Sequence, residues 1–206
     1  MNQSHAESIL RDYYQELRDI VLDGFGEYAQ DYAHVSYKHH ARTRATTIHD
    51  HIFALAKERL SKHSAFHQIP TTIRNLFDVA GILVIQFKKL NRNLRTSNIL
   101  TQLTLAFNNQ REVHLPGIPP TLPRLALGYV PKRDWTEVDG VYLTYSVGRT
   151  LLWYIDITQA GEQTAAFPQN LPITPTPTDA HAAPERRKVR AKHPKRKPGG
   201  ISATGV

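Results

Sequence analysis

Apolar positions in the first part of the chain recur at three- and four-residue intervals. Leu10, Tyr13, Leu17, Ile20 and Val21 share one face while Glu7, Arg11, Asp12 and Glu16 lie mostly off it, which predicts an amphipathic helix. Ser4-His5-Ala6-Glu7 has the spacing of a capping box and sets the expected start of that helix. Gly24 and Gly26 are expected to interrupt or end it. A second helix is predicted over about residues 43 to 62, with Ile48, Ile52, Leu55, Ala56 and Leu60 on its buried stripe and His63-Ser64 at its end.

From Leu76 onward the residue preferences become those of strands. Ala80-Gly81 either turns a tight hairpin or bulges one long strand, and the hairpin is the preferred reading. Alternation then places Gln86 and Lys88 on a wet face and Ile85 and Phe87 on a buried one. A short helix capped by Thr96 or Ser97 would carry Ile99, Leu103, Ala106 and Phe107, and prolines from Pro116 to Pro123 enforce an irregular connection. Three strands follow, at about 124 to 130, 139 to 146 and 150 to 157. Gly148 supplies the positive φ for an antiparallel hairpin between the last two.

The predicted fold class is α+β: N-terminal amphipathic helices packed on a small, mainly antiparallel sheet, with a disordered C-terminal tail. Its expected core includes Leu10, Leu17, Ile52, Leu55, Phe107 and Trp153. Residues 1–158 are read as a single domain and residues 159–206 as a Pro/Thr/Ala-rich linker and basic tail.

Charge changes this picture only after it is located along the chain. The total is +8 over 206 residues, yet eight Lys or Arg after Thr158 face only Glu162, Asp179 and Glu185, leaving +3 for residues 1–158. In the tail, Arg186, Arg187, Lys188, Lys195, Arg196 and Lys197 form a cluster suited to nonspecific, salt-sensitive polyanion binding. The cluster lacks the interleaved Trp, Phe or Leu of an interfacial helix, so no membrane partner is expected.

Within the domain, Lys88 and Lys89 end an apolar strand that runs into Arg92 and Arg95, and a rigid support of that kind can present cations to phosphates. Arg42 and Arg44 would extend the surface. A competing reading makes the lysines protection for an edge strand. The expected function is therefore a small nucleic-acid-binding protein of accessory or regulatory type, with DNA or RNA left open.

Two alternatives remain. The run from Tyr37 to His51 holds four of the eleven histidines, and His39, His40, Arg42, Arg44 and His49 are the right kinds of group for a metal-independent ribonuclease. The other alternative is a protein-interaction scaffold, in which the N-terminal helices could also form a homodimer; it would expose an apolar patch.

Asp78, followed by Gln86-Phe87-Lys88, resembles the core of the PD-(D/E)xK nucleases, where an acid on one strand and an acid-x-Lys on the next hold magnesium and position water. The resemblance spans residues 78 to 88, with Gln86 in place of the second acid and no Pro before Asp78, and it implies that Asp78 approaches Lys88.

Neither a metal site nor a cofactor is expected. His49 and His51 diverge on a helix, the chain has no cysteine, and no Walker, dinucleotide or nucleophile-elbow motif occurs. Whether the protein is an enzyme at all is left open. Trp135, Trp153, Tyr142, Tyr145 and Tyr154 gather in the C-terminal strands, where packing is the expected role and base stacking the alternative. The N-terminus lacks a secretory leader pattern and no apolar run reaches membrane-spanning length, so the expected location is cytoplasmic.

Overall fold

The N-terminal apolar stripe is carried by two helices, α1 (Gln3–Leu10) and α2 (Tyr14–Asp31), joined by a 3-10 turn at Arg11–Tyr13. The computed structural model describes residues 1–70, 75–96, 107–110 and 122–161. Leu10, Leu17, Ile20 and Val21 are buried as the spacing requires, and Tyr13 packs at the edge of the same core. Asn2, two residues before Ser4, caps α1: its extended backbone lets the side-chain oxygen accept from the His5 amide at 2.9 Å. Glu7 instead accepts from Gln3 Nε2 at 2.8 Å, so the expected capping box does not form.

Neither glycine ends α2. Gly24 is buried against helix α3 (Ala41–Leu60), and a Cβ there would lie 2.7 Å from backbone and side-chain atoms of Ile52. The missing side chain fixes how closely the two helices pack. Helix α3 buries Ile48, Ile52, Ala56 and Leu60, and also Phe53; Leu55 is only partly buried. Arg44 ties down the link between α2 and α3, donating from Nη2 to the Ser36 carbonyl at 2.8 Å and from Nε to the His39 carbonyl at 3.1 Å.

Six strands form one sheet in the order of the chain: β1 (Phe66–Ile69), β2 (Leu76–Val79), β3 (Leu83–Lys89), β4 (Arg124–Pro131), β5 (Val138–Val147) and β6 (Thr150–Asp156). All neighbours pair antiparallel except β3 and β4, which are parallel. The β2–β3 hairpin forms as expected. Ala80 and Gly81 both take positive φ, 53° and 69°, as a primed hairpin turn demands, and the Ile82 amide donates to the Val79 carbonyl at 2.9 Å. Gly148, at φ 62°, turns the β5–β6 hairpin.

The helices cover the sheet face that carries Ile85, Phe87, Leu127 and Leu143, giving the α+β arrangement with its main core between helices and sheet. Trp153 stays half-buried at the margin of this core. The other face is not wet at its centre: Gln86 is only 4% exposed. A smaller core of Ile69, Leu76, Val84 and Phe107 covers that side of β2 and β3, and Leu90 folds back over Gly128. Strand β3 is thus covered on both faces, which explains its nearly continuous apolar run.

Met1–Ala165 forms one compact unit. Among the described residues, no helix is long and apolar enough to cross a membrane. The helix expected after Ser97, apart from Phe107, lies outside the described residues. So do the proline-rich connection up to Thr121 and the tail from 162 onward with its basic cluster.

Candidate functional site

The basic segment after β3 does not form one surface. Asn91 organises it as a tight turn: its side-chain oxygen accepts from the amides of Asn93 at 2.9 Å and Arg95 at 3.0 Å, and its own amide donates to the Arg95 carbonyl at 3.0 Å. Leu94 takes positive φ, 55°, within this turn. The four cations are thereby sent to three different depressions.

Lys88 and Lys89 line a groove against the first half of α3, beside Arg42, Thr46 and His49. Arg92 lies in a shallow cleft of mixed charge with Arg133, Asp134 and Asp139. Arg95 opens instead onto a cavity on the sheet face opposite the helices.

Trp135, in the loop between β4 and β5, connects α3 to the end of β3. Lys89 Nζ lies 5.1 Å from its ring centroid and Arg44 Cζ 5.8 Å, so two cations from different elements share one aromatic ring. Trp135 itself sits at φ 63°. Among the described residues, none of Arg42, Arg44, Lys89 or Arg133 takes part in an ion pair. By contrast, Lys132 is neutralised locally by Glu137. Arg44 is already committed to two carbonyls, so it supports this end of the sheet while Arg42 presents its exposed charge to solvent.

The histidine cluster disperses. Tyr28 Oη and His39 Nδ1 are 3.0 Å apart in a group that also contains Tyr32, which packs His39 into the α2–α3 link. His51 pairs with Glu27 at 3.1 Å. His40 occupies the N-cap position of α3 without a side-chain cap.

Only His49 reaches the groove with Lys88. Asn75 Nδ2 donates to His49 Nε2 at 3.2 Å, leaving the imidazole proton on Nδ1. Burial first, and the nearby Lys88 charge second, hold its pKa below the ordinary value of 6.5, so the ring is neutral at physiological pH.

The nuclease-like pairing does not assemble. Asp78 stands opposite Val84 while Gln86 stands opposite Leu76, so Asp78 and Lys88 are offset by four residues, roughly 13 Å at strand rise. Asp78 Oδ2 accepts from the Gly81 amide at 3.1 Å, a bond that secures the β2–β3 turn. Among the described residues no cluster of His, Asp or Glu could hold a metal ion.

Of the C-terminal aromatics, Tyr145 stacks on Trp153 at 5.2 Å against the core, but Tyr154 on edge strand β6 is 49% exposed, and the aliphatic Leu152 on the same strand is 55% exposed. Residue types alone had not singled out Arg124, Thr144 and Arg149 around the cavity, or Arg133 near Trp135. The available signal for the cavity was polar residues set within apolar strand runs, Gln86 between Ile85 and Phe87 and Thr144 between Leu143 and Tyr145. No family model, curated protein or solved structure matches the chain.

Proposed function

We propose that the protein binds nucleic acid at the end of its sheet where β3 meets α3, through Arg42, Lys88 and Lys89. The observation that carries this reading is the Trp135 ring shared by Lys89 and Arg44, next to a groove lined by Arg42, Lys88 and Lys89. No carboxylate is among the described residues that line the groove, Arg42 and Lys89 make no ion pair among the described residues, and a phosphate backbone would bind such cations while releasing its own counterions. Arg44 and Trp135 act as supports. Arg92, in a cleft with two aspartates, and Arg95, in a separate cavity, have lesser parts. The basic tail adds nonspecific affinity.

Cleavage of RNA is the second reading, favoured by one observation: His49 lines the same groove as Lys88, where burial holds its pKa below the ordinary value. Its unprotonated nitrogen, however, is held by Asn75, so it would have to lose that hydrogen bond before taking a 2′-hydroxyl proton. Binding without turnover is the better-supported activity.

The test is a titration of duplex DNA and single-stranded RNA against salt, using the full chain and an Arg42→Ala/Lys88→Ala/Lys89→Ala variant. Three lost phosphate contacts should flatten the slope of log K against log salt by roughly 2.7 on duplex or 2.1 on single strands, with weakening similar across sequences. An unchanged slope would place the binding cations elsewhere.

A further inference from the structure

Gln86, Arg124 and Thr144 are the buried polar or charged side chains among the described residues, at 4%, 2% and 3% exposure, and all three line one cavity. Strand register explains why they meet. Gln86 pairs with Ala126 and Ala126 with Thr144, so one row across β3, β4 and β5 reads polar, small, polar; Arg124 stands two residues before Ala126 and therefore on the same face. Thr144 Oγ1 donates to the Ala126 carbonyl at 3.3 Å, and Arg124 Nη1 donates to the Phe107 carbonyl at 3.4 Å, so hydrogen bonds within the fold hold polar groups at depth, and alanine at the centre of the row keeps the floor open.

Arg95 comes to the same cavity from the Asn91 turn and Arg149 from the β5–β6 hairpin. The cavity holds about 300 Å³ and has no carboxylate among its described lining residues. Three guanidinium groups, one at depth and two exposed, can meet both charges of a dianion with planar, multi-donor geometry. Its volume is at the small end of ligand pockets, suited to a molecule no larger than a mononucleotide.

We infer that this cavity is a binding site for a small organic dianion, a phosphate monoester or a dicarboxylate, held by Arg95, Arg124 and Arg149 over the floor formed by Gln86, Ala126 and Thr144. The site opens on the sheet face opposite the helices and does not depend on nucleic-acid binding in the groove beside α3.

The test is thermal unfolding of the full chain with inorganic phosphate, AMP or succinate titrated to saturation. At about ten times its Kd, a bound probe should raise Tm by roughly 3–6 °C. Two variants should each abolish the shift: Arg95→Ala/Arg149→Ala, which changes only exposed side chains, and Ala126→Leu, which fills the floor and touches no arginine. A shift with AMP but not succinate assigns a phosphate monoester, one with succinate but not AMP a dicarboxylate, and one with inorganic phosphate alone overturns the organic ligand. No shift with any probe, or a shift that survives either variant, overturns the site.

Discussion

Replacing Gly24 with alanine sets two effects of opposite sign against each other. Alanine is favoured over glycine in a helix interior by about 1 kcal/mol, because the glycine backbone loses more freedom on folding. Against that gain, the new Cβ would lie 2.7 Å from Ile52 Cα, N and Cγ1. Two of those atoms are backbone, and Ile52 is 1% exposed, so no side-chain rotation relieves the contact and the helices must separate. Overpacking costs about 1–3 kcal/mol, and a backbone clash in a closed core belongs at the upper end. The expected net loss is about 2 kcal/mol, or a fall in Tm of roughly 4–8 °C. Gly26, two residues later in the same helix, has nothing within 4 Å of its Cβ position. Gly26→Ala should therefore show the propensity gain alone, raising Tm by roughly 1–4 °C. Thermal unfolding followed by circular dichroism reads both signs. A Gly24→Ala protein melting at or above wild type would refute the tight α2–α3 contact that positions Arg42 and His49.

Two further expectations concern buried titratable groups. The depressed pKa of His49 means that the unfolded chain takes up its proton first. Stability from this group is complete above the unfolded value of about 6.5 and is lost as pH falls through the folded value, so denaturant unfolding at about pH 7.5 and about pH 5 should show a smaller acid loss in His49→Gln than in wild type. Equal losses would contradict that sign. Tyr129 Oη is buried without a hydrogen-bond partner among the described residues, and burial pushes its pKa well above the ordinary phenol value. Tyr129→Phe should leave stability unchanged or raise it by about 1 kcal/mol, and a loss larger than that would reveal a partner for the hydroxyl.

Local pattern was sufficient where the structure is local. Strands β4 to β6 follow from strand-forming residue preferences between turn signals, and the β2–β3 and β5–β6 hairpins from Gly81 and Gly148, placed where positive φ is needed. Strand β1 was missed because its burial runs buried, exposed, exposed, buried over four residues, with no period-two signal. The parallel pairing of β3 with β4 joins segments far apart in the chain, and no turn residue announces it. Gly24 was misread because its role is set by Ile52 across a helix interface, and helix propensity contains no information about that contact.

The candidate site shows the same division. Its cations were legible as residue types, but their grouping depends on the Asn91 turn, which sends Arg92 and Arg95 away from Lys88 and Lys89. Gln86 was placed on a wet face because it is polar. Only the register with Ala126 and Thr144 shows it as part of a buried polar row.

We propose binding of nucleic acid by a folded surface and not by the basic tail alone. It is tested most directly by shortening the chain to residues 1–161 and measuring affinity for duplex DNA and single-stranded RNA as a function of salt. The shortened protein should retain measurable binding with a shallower salt slope than the full chain, and Arg42→Ala/Lys88→Ala/Lys89→Ala should reduce what remains. Complete loss of binding in a folded 1–161 protein would contradict the account.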